Sequence, residues 1–263
     1  MKFCISSVAA VLIAATVLSS AAKAAPSVFA KSAIVYDADT AQVLFDKSCH
    51  SRSLIASTTK IMTGYLIAKD CALDEMVTIP SQAAGIEGSS LELRAGESRT
   101  VEELLYGMML HSGNDAAMAL AIYHSGTVAE FVRNMNQTAR DFGLENTSFA
   151  NPHGLDSEEN FSTAYDLAVL TAVAMEDPVF YRVVSTKTVT INGREYKNHN
   201  RLLWQYEGTI GVKTGYTKAA GRILVSCAQR NGRRLIAITI CAPDDWRDHR
   251  RMFDYGFSSL EGE

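Results

Sequence analysis

The chain has 263 residues, 47% of them hydrophobic and 21% charged, and a formal charge of −4 from 25 basic and 29 acidic residues. That composition belongs to a globular protein and excludes a disordered, collagenous or disulfide-dense chain. The acidic excess weighs against a nucleic-acid partner, and a mean hydropathy of 0.00 against a polytopic membrane protein.

The chain opens with Met1-Lys2, an apolar run from Val8 to Leu18, and Ala22-Lys23-Ala24. A positive start, a short apolar core and a small-residue cleavage site form the pattern of a secretory signal peptide. The run is too short to span a bilayer, which takes roughly 20 apolar residues. Residues 1–24 are therefore expected to be a leader and residues 25–263 the working domain, outside the cytoplasm and without a transmembrane anchor. Loss of Lys2 and Lys23 moves the formal charge from −4 to −6. Cys49, Cys71, Cys227 and Cys241 remain, with no C-x-x-C among them, and free thiols, mostly buried, are expected.

Ala33–Tyr36 and Gln42–Asp46 read as strands around the polar turn Asp37-Ala38-Asp39-Thr40. From Ser57, a candidate helix start, Ile61, Tyr65 and Leu66 recur at helical spacing. Thr100 and Glu103 form a T-x-x-E capping box before a helix that should end near His111. Ser112-Gly113-Asn114-Asp115 is turn chemistry, and Asp115 can cap a helix over Ala116–Tyr123. Further helices are expected at Val128–Phe142, Ala164–Met175 and Trp246–Phe257. Asn192-Gly193 predicts a hairpin between Val189–Ile191 and Arg194–Lys197. Thr209–Thr214, Arg222–Ala228 and Leu235–Cys241 read as strands. The last two form a hairpin at Asn231-Gly232, in whose register Cys227 faces Ile236 rather than Cys241. Strands at both ends and helices between them predict an α/β protein of the α+β type: one antiparallel sheet built from both ends, a helical lobe inserted in it, and a cleft between the two.

Three short segments carry nucleophile and cation chemistry. In Ser57-Thr58-Thr59-Lys60 the hydroxyl and amine share a helix face, and a neutral lysine can activate a serine. Burial and a second cation nearby would both lower the lysine pKa. Ser112-Gly113-Asn114 can project a proton-passing hydroxyl and a gripping amide from one tight loop. Lys213-Thr214-Gly215 offers two donors to a carboxylate and a glycine where substrate backbone can approach. Alone, each segment reads as an ordinary cap, turn or strand end.

In that order the segments match the S-x-x-K, S-x-N and K-T-G signature of β-lactamases and penicillin-binding proteins. The longer stretches Ile55–Thr63, His111–Ala117, Asn151–Asp156 and Gly211–Thr217 make the chain similar to the D-alanyl-D-alanine carboxypeptidases of the low-molecular-mass penicillin-binding proteins. The resemblance runs from about Ser32 to Phe257 and implies a β-lactamase/transpeptidase-like fold. It implies a serine peptidase that removes the terminal D-alanine of peptidoglycan stem peptides through an acyl-enzyme on Ser57, with β-lactams as covalent inhibitors and no metal or cofactor. Lys60 would be the base, Ser112 would protonate the leaving amine, and Asn114 would hold substrate backbone. Lys213 and Thr214 would take the terminal carboxylate, the Lys213 charge also keeping Lys60 neutral. The backbone N–H groups of Ser57 and Tyr216 would form the oxyanion hole. Relatives often add an arginine at the carboxylate, and Arg201 and Arg247 are both candidates. His153 is expected to be structural. Many relatives also carry a second β-rich domain and a membrane-surface helix, for which Ser258–Glu263 is too short.

A class A β-lactamase would need a deacylating glutamate in E-x-x-L-N. Glu130 and Asn134 have that spacing, but Arg133 replaces the leucine. A non-catalytic penicillin-binding or wall-sensing domain is the other alternative, and intact Ser57, Lys60 and Lys213 count against it. H-E-x-x-H, G-x-S-x-G and the P-loop motif are absent.

Overall fold

The computed structural model describes residues 24–260, and the expected leader falls almost wholly outside them. The described elements, in chain order, are β1 (Ser32–Asp37), β2 (Gln42–Lys47), β3 (Ser53–Leu54), a 3-10 turn (Ala56–Thr59), α1 (Lys60–Asp70), β4 (Met76–Thr78), β5 (Ser98–Thr100), α2 (Val101–Leu110), α3 (Asn114–Ser125), α4 (Val128–Asp141), β6 (Phe161–Ser162), α5 (Ala164–Ala174), α6 (Pro178–Ser185), β7 (Thr188–Ile191), β8 (Arg194–Lys197), α7 (Leu202–Gln205), β9 (Thr209–Thr217), β10 (Gly221–Arg230), β11 (Arg233–Ile240) and α8 (Asp245–Leu260).

The two ends of the chain meet in one antiparallel sheet of order β2-β1-β11-β10-β9. Ser32 pairs with Ile240, and Cys227 pairs with Ile236 as the hairpin register requires. Side chains alternate between the faces of a strand. Ile34, Val225, Cys227, Ile236 and Ile238 therefore join the core of the helical lobe. Ala33, Val35, Leu224, Leu235 and Ala237 face Met252, Phe253 and Phe257 of α8. The sheet is covered on both faces, which explains why β1 is buried throughout and reads as a continuous apolar run.

Within the lobe, α1 is the central helix. It is buried on nearly every side and packs against α2, α3, α5 and α6. By contrast, α4 buries only Phe131, Met135 and Ala139, a single stripe at i, i+4, i+8. This central position fixes the residues at the start of α1 against the edge strand β9, which the turn Ala56–Thr59 contacts.

Several sequence expectations need correction. Ser57 caps no helix: the chain enters α1 through the 3-10 turn, and no side chain caps it. Only half of the capping box forms. Thr100 accepts from Glu103 N, but the Glu103 carboxylate instead takes Arg99, Asn192 and Tyr196. Asp115 lies inside the first turn of α3, and the cap position is Gly113. Lys213–Gly215 is in the body of β9 rather than at its end. Helix α6 was not expected, although Asp177 caps it and Pro178 starts it. All four cysteines are free, but Cys241 is exposed.

Candidate active site

The nucleophile candidate comes from strained backbone. Ala56, just before Ser57, has φ +45, a conformation L-residues rarely adopt. The turn presses against β9 at Gly215. A Cβ there would lie 3.3 Å from Ala56 Cβ, Ile55 O and Ser57 N. Gly215 therefore admits the protein's own serine-bearing turn, where the sequence suggested it made room for substrate.

Lys60 is fully buried. Its Nζ lies 3.0 Å from Ser57 Oγ, 2.7 Å from Asn114 Oδ1 and 2.5 Å from the carbonyl oxygen of His153. The amide and carbonyl oxygens can only accept. A neutral amine has two N–H donors and one lone pair, so the two oxygens take its donors and the lone pair is left for the Ser57 hydroxyl. Burial pushes the Lys60 pKa well below the usual lysine value. The Lys213 charge pushes the same way, and Asp115 opposes them.

His153 reaches this position through the Asn151–Asp156 turn. Asn151 Oδ1 accepts from Gly154 N at 2.7 Å, and Asn151 Nδ2 donates to Leu155 O at 3.0 Å. Thr63 Oγ1 then ties Pro152 O to α1 at 2.7 Å. The His153 ring accepts from Leu155 N, and burial lowers its pKa to about 4, so it is neutral near pH 7. Its contribution to Lys60 is its carbonyl.

On the far wall, Ser112 has φ +67 and sits between α2 and α3. Its hydroxyl accepts from Lys213 Nζ at 3.0 Å, and Lys213 also donates to Thr214 O at 2.9 Å. Lys213 is buried, which lowers its pKa to about 7. Asn114 holds Lys60 with its oxygen and donates to Glu87 O at 2.7 Å with its nitrogen, leaving one N–H for other use. Asp115, fully buried, accepts from Leu91 N at 2.8 Å, Leu93 N at 3.1 Å and Ser90 Oγ at 2.6 Å. It thereby fastens the β4–β5 connection beside the Ser112 loop.

Above these groups opens a cleft of about 870 Å³, lined by Ser57, Ser112, Thr214, Gly215 and Tyr216 among others. Lys60, Asn114 and Lys213 lie buried beneath it. All eight expected site residues thus converge. The sequence reading missed Ser89, Asn198, Trp204 and Trp246 as cleft residues. Of the two candidate arginines, Arg201 lines the cleft, with its guanidinium 6.0 Å from the Trp246 ring centre. Arg247 pairs with Asp244 at 3.3 Å and lies over Phe29. Glu130 pairs with Arg133 on α4 and does not line the cleft. Among the described residues no cluster of three or more His, Cys, Asp or Glu could hold a metal, and no helix is long and apolar enough to cross a membrane.

Comparison with known proteins agrees across three kinds of evidence. A sequence model of one family, described as D-alanyl-D-alanine carboxypeptidase, matches residues 19–244. The D-alanyl-D-alanine carboxypeptidase DacF of Bacillus subtilis is 38% identical over 247 residues, covering 88% of this chain and 63% of that protein. DacD of Escherichia coli, which carries the same description, is 39% identical over 232 residues, covering 82% of this chain and 59% of its own length. The chain thus spans about three fifths of those two relatives. The crystal structure of the Streptomyces K15 DD-transpeptidase superposes with a TM-score of 0.85 at 33% identity, covering 90% of this chain and all of that one. The α+β fold with its terminal-strand sheet is therefore shared with that enzyme.

Proposed function

Because the chain belongs to the D-alanyl-D-alanine carboxypeptidase family, we propose that it is a serine peptidase that removes the terminal D-alanine from peptidoglycan stem peptides. The observation that carries this reading is the Lys60 amine, 3.0 Å from Ser57 Oγ, with its other two contacts fixed acceptors. A buried lysine held in that way can act as a base, because burial and the Lys213 charge both oppose its protonation.

The proton of Ser57 passes to Lys60 Nζ as Oγ bonds to the carbonyl carbon between the last two D-alanines. The backbone N–H groups of Ser57 and Tyr216 hold the oxyanion. The C–N bond then breaks, and Ser112 passes a proton to the departing amine. Lys213 and Thr214 receive the terminal carboxylate, with Arg201 the arginine placed to assist. Asn114 keeps Lys60 in line and offers its remaining N–H to substrate backbone. Water then releases the shortened peptide from Ser57. A β-lactam acylates the same oxygen and leaves slowly. Residues 1–24 act as a secretory leader, and the domain from residue 25 works outside the cytoplasm.

Incubation with a stem pentapeptide tests the proposal. D-Alanine should appear with the wild type and not with Ser57→Ala. Absence of release from a folded wild-type protein would reject it.

A further inference from the structure

Two cleft histidines have no part in the peptidase chemistry described above. His111 is the residue that ends α2, and His199 lies between β8 and α7. Both line the cleft, and both are exposed to its solvent. Their ring centres are 5.1 Å apart, with 53° between the ring planes. Among the described residues, nothing hydrogen-bonds to a ring nitrogen of either one. Four imidazole nitrogens therefore face one small volume of solvent without a protein partner.

The backbone beneath both rings is fixed. His111 N donates to Gly107 O at 3.2 Å, and His199 N donates to Leu110 O at 3.1 Å, which ties the two histidine-bearing segments together. Buried asparagines flank His199 on each side. Asn198 Nδ2 donates to Val184 O at 3.1 Å and Thr186 O at 3.0 Å, and Asn200 Nδ2 donates to Gly211 O at 2.7 Å. A ligand shared by the two rings would find them already side by side, with little backbone left to order.

Neutral imidazole is the commonest protein ligand for transition metals, and the spacing fits one ion. Zinc sits about 2.0–2.1 Å from an imidazole nitrogen, hence about 3.2 Å from the ring centre. Two rings on one ion at the tetrahedral angle of about 109° have centres about 5.2 Å apart.

We infer that His111 and His199 form a two-ligand site for a divalent ion of the zinc class, and that an ion bound there slows acylation of Ser57. Two ligands fall short of the three or four that hold a resident zinc, so occupancy follows the concentration of the ion. The remaining coordination positions are open to water or a carboxylate. Lys197, Arg201 and the buried Lys213 are on the same cleft and oppose a cation, so binding depends on both imidazoles. His111 directly precedes Ser112, whose hydroxyl lies 3.0 Å from Lys213 Nζ. The ion therefore stands beside the carboxylate seat, where it competes with Lys213 and Thr214 for the substrate carboxylate. The binding stands on the histidine geometry alone, whereas the effect on rate rests on the carboxypeptidase reading above.

The test titrates the full chain with ZnCl2 by calorimetry and measures acylation by a fluorescent penicillin with zinc and after EDTA. The wild type should bind one zinc ion, and His111→Asn and His199→Asn should each weaken that binding at least tenfold. MgCl2 should give no binding, because magnesium prefers oxygen ligands. Zinc should slow wild-type acylation at least threefold, EDTA should restore it, and in each variant the ratio of the two rates should be near one. No zinc binding by the wild type, or binding that both variants retain, would overturn the site. Zinc bound through these histidines with the acylation rate unchanged would overturn its inhibitory role. A wild type that is not acylated even after EDTA would remove the peptidase reading and the rate effect with it, and the titration would still decide the site.

Discussion

Gly154→Ala tests how tightly the Asn151–Asp156 turn controls the base. Gly154 has φ +88, and a Cβ there would fall 1.9 Å from Ala56 O, 2.4 Å from Ala56 C and 3.0 Å from Ser57 N, all backbone atoms. A comfortable C···O contact is about 3.3 Å, so one side must retreat by roughly 1.4 Å. If the turn yields, His153 O leaves Lys60 Nζ. If the Ala56–Ser57 turn yields, Ser57 Oγ leaves it instead. The left-handed backbone costs about 1–2 kcal/mol with a Cβ, and one lost hydrogen bond adds about 1 kcal/mol. For a chain of this size that predicts a Tm lower by about 4–12 °C. A misplacement of this length at reacting groups costs on the order of 100-fold in rate, read as the second-order rate constant of acylation by a fluorescent penicillin. Gly126→Ala is the control. Gly126 also has positive φ, +76, but nothing within 4 Å of the added Cβ, so it should lose stability without losing rate. If Gly154→Ala acylates within threefold of wild type, the turn does not set the position of Lys60 and the reasoning fails.

Three further outcomes are expected. His249 is fully buried between Ser226 and Thr239, and burial lowers its pKa to about 3. The unfolded chain takes up that proton near pH 6.5, so between about pH 3 and 6.5 it binds more protons than the folded chain, and stability is lost as pH falls below 6.5. At pH 5 one such histidine accounts for about 2 kcal/mol. His249→Gln should therefore narrow the Tm difference between pH 7.5 and pH 5, and an unchanged difference would contradict the assignment. Lys213, with its pKa lowered to about 7 by burial, must be charged to seat a carboxylate. The kcat/KM for pentapeptide should fall as pH rises through about 7, and Lys213→Arg should move that limb to higher pH. A limb that stays in place in Lys213→Arg belongs to another group. Tyr196 donates to the buried Glu103 carboxylate at 3.0 Å and so clamps the β7–β8 hairpin to α2. Tyr196→Phe should cost about 1–2 kcal/mol and speed amide exchange over residues 188–197. Unchanged exchange there would show that the clamp lies elsewhere.

The strands are legible because they are local runs with clear turns: Asn231-Gly232 in the five-stranded sheet and Asn192-Gly193 in the separate β7–β8 hairpin sit at positive φ at the hairpin tips, as their residue types require. The site was legible as motifs because Ser57 with Lys60, Ser112 with Asn114, and Lys213 with Thr214 are each close in sequence. The contacts that tune it were not. Lys60 reaches His153 O across 93 positions and Asn114 Oδ1 across 54, and only the packing of α1 brings these together. Asp115 reads as a cap because its type favours caps, yet its carboxylate accepts from Leu91 and Leu93 in a connection without periodicity. Nothing local in the sequence announces that the Ser57 turn packs against Gly215, so that glycine reads as room for substrate. The cleft residues Trp204 and Trp246 come from segments 42 positions apart, and no local pattern links them to a cleft.

The most direct test of the central claim is a time course of intact mass after addition of benzylpenicillin, run beside Ser57→Ala. The account predicts a long-lived adduct of one penicillin on the wild type and none on the variant. A wild-type protein that stays unmodified while the drug remains intact would contradict an acylating Ser57. Rapid destruction of the drug without a lasting adduct would contradict a peptidase that deacylates slowly.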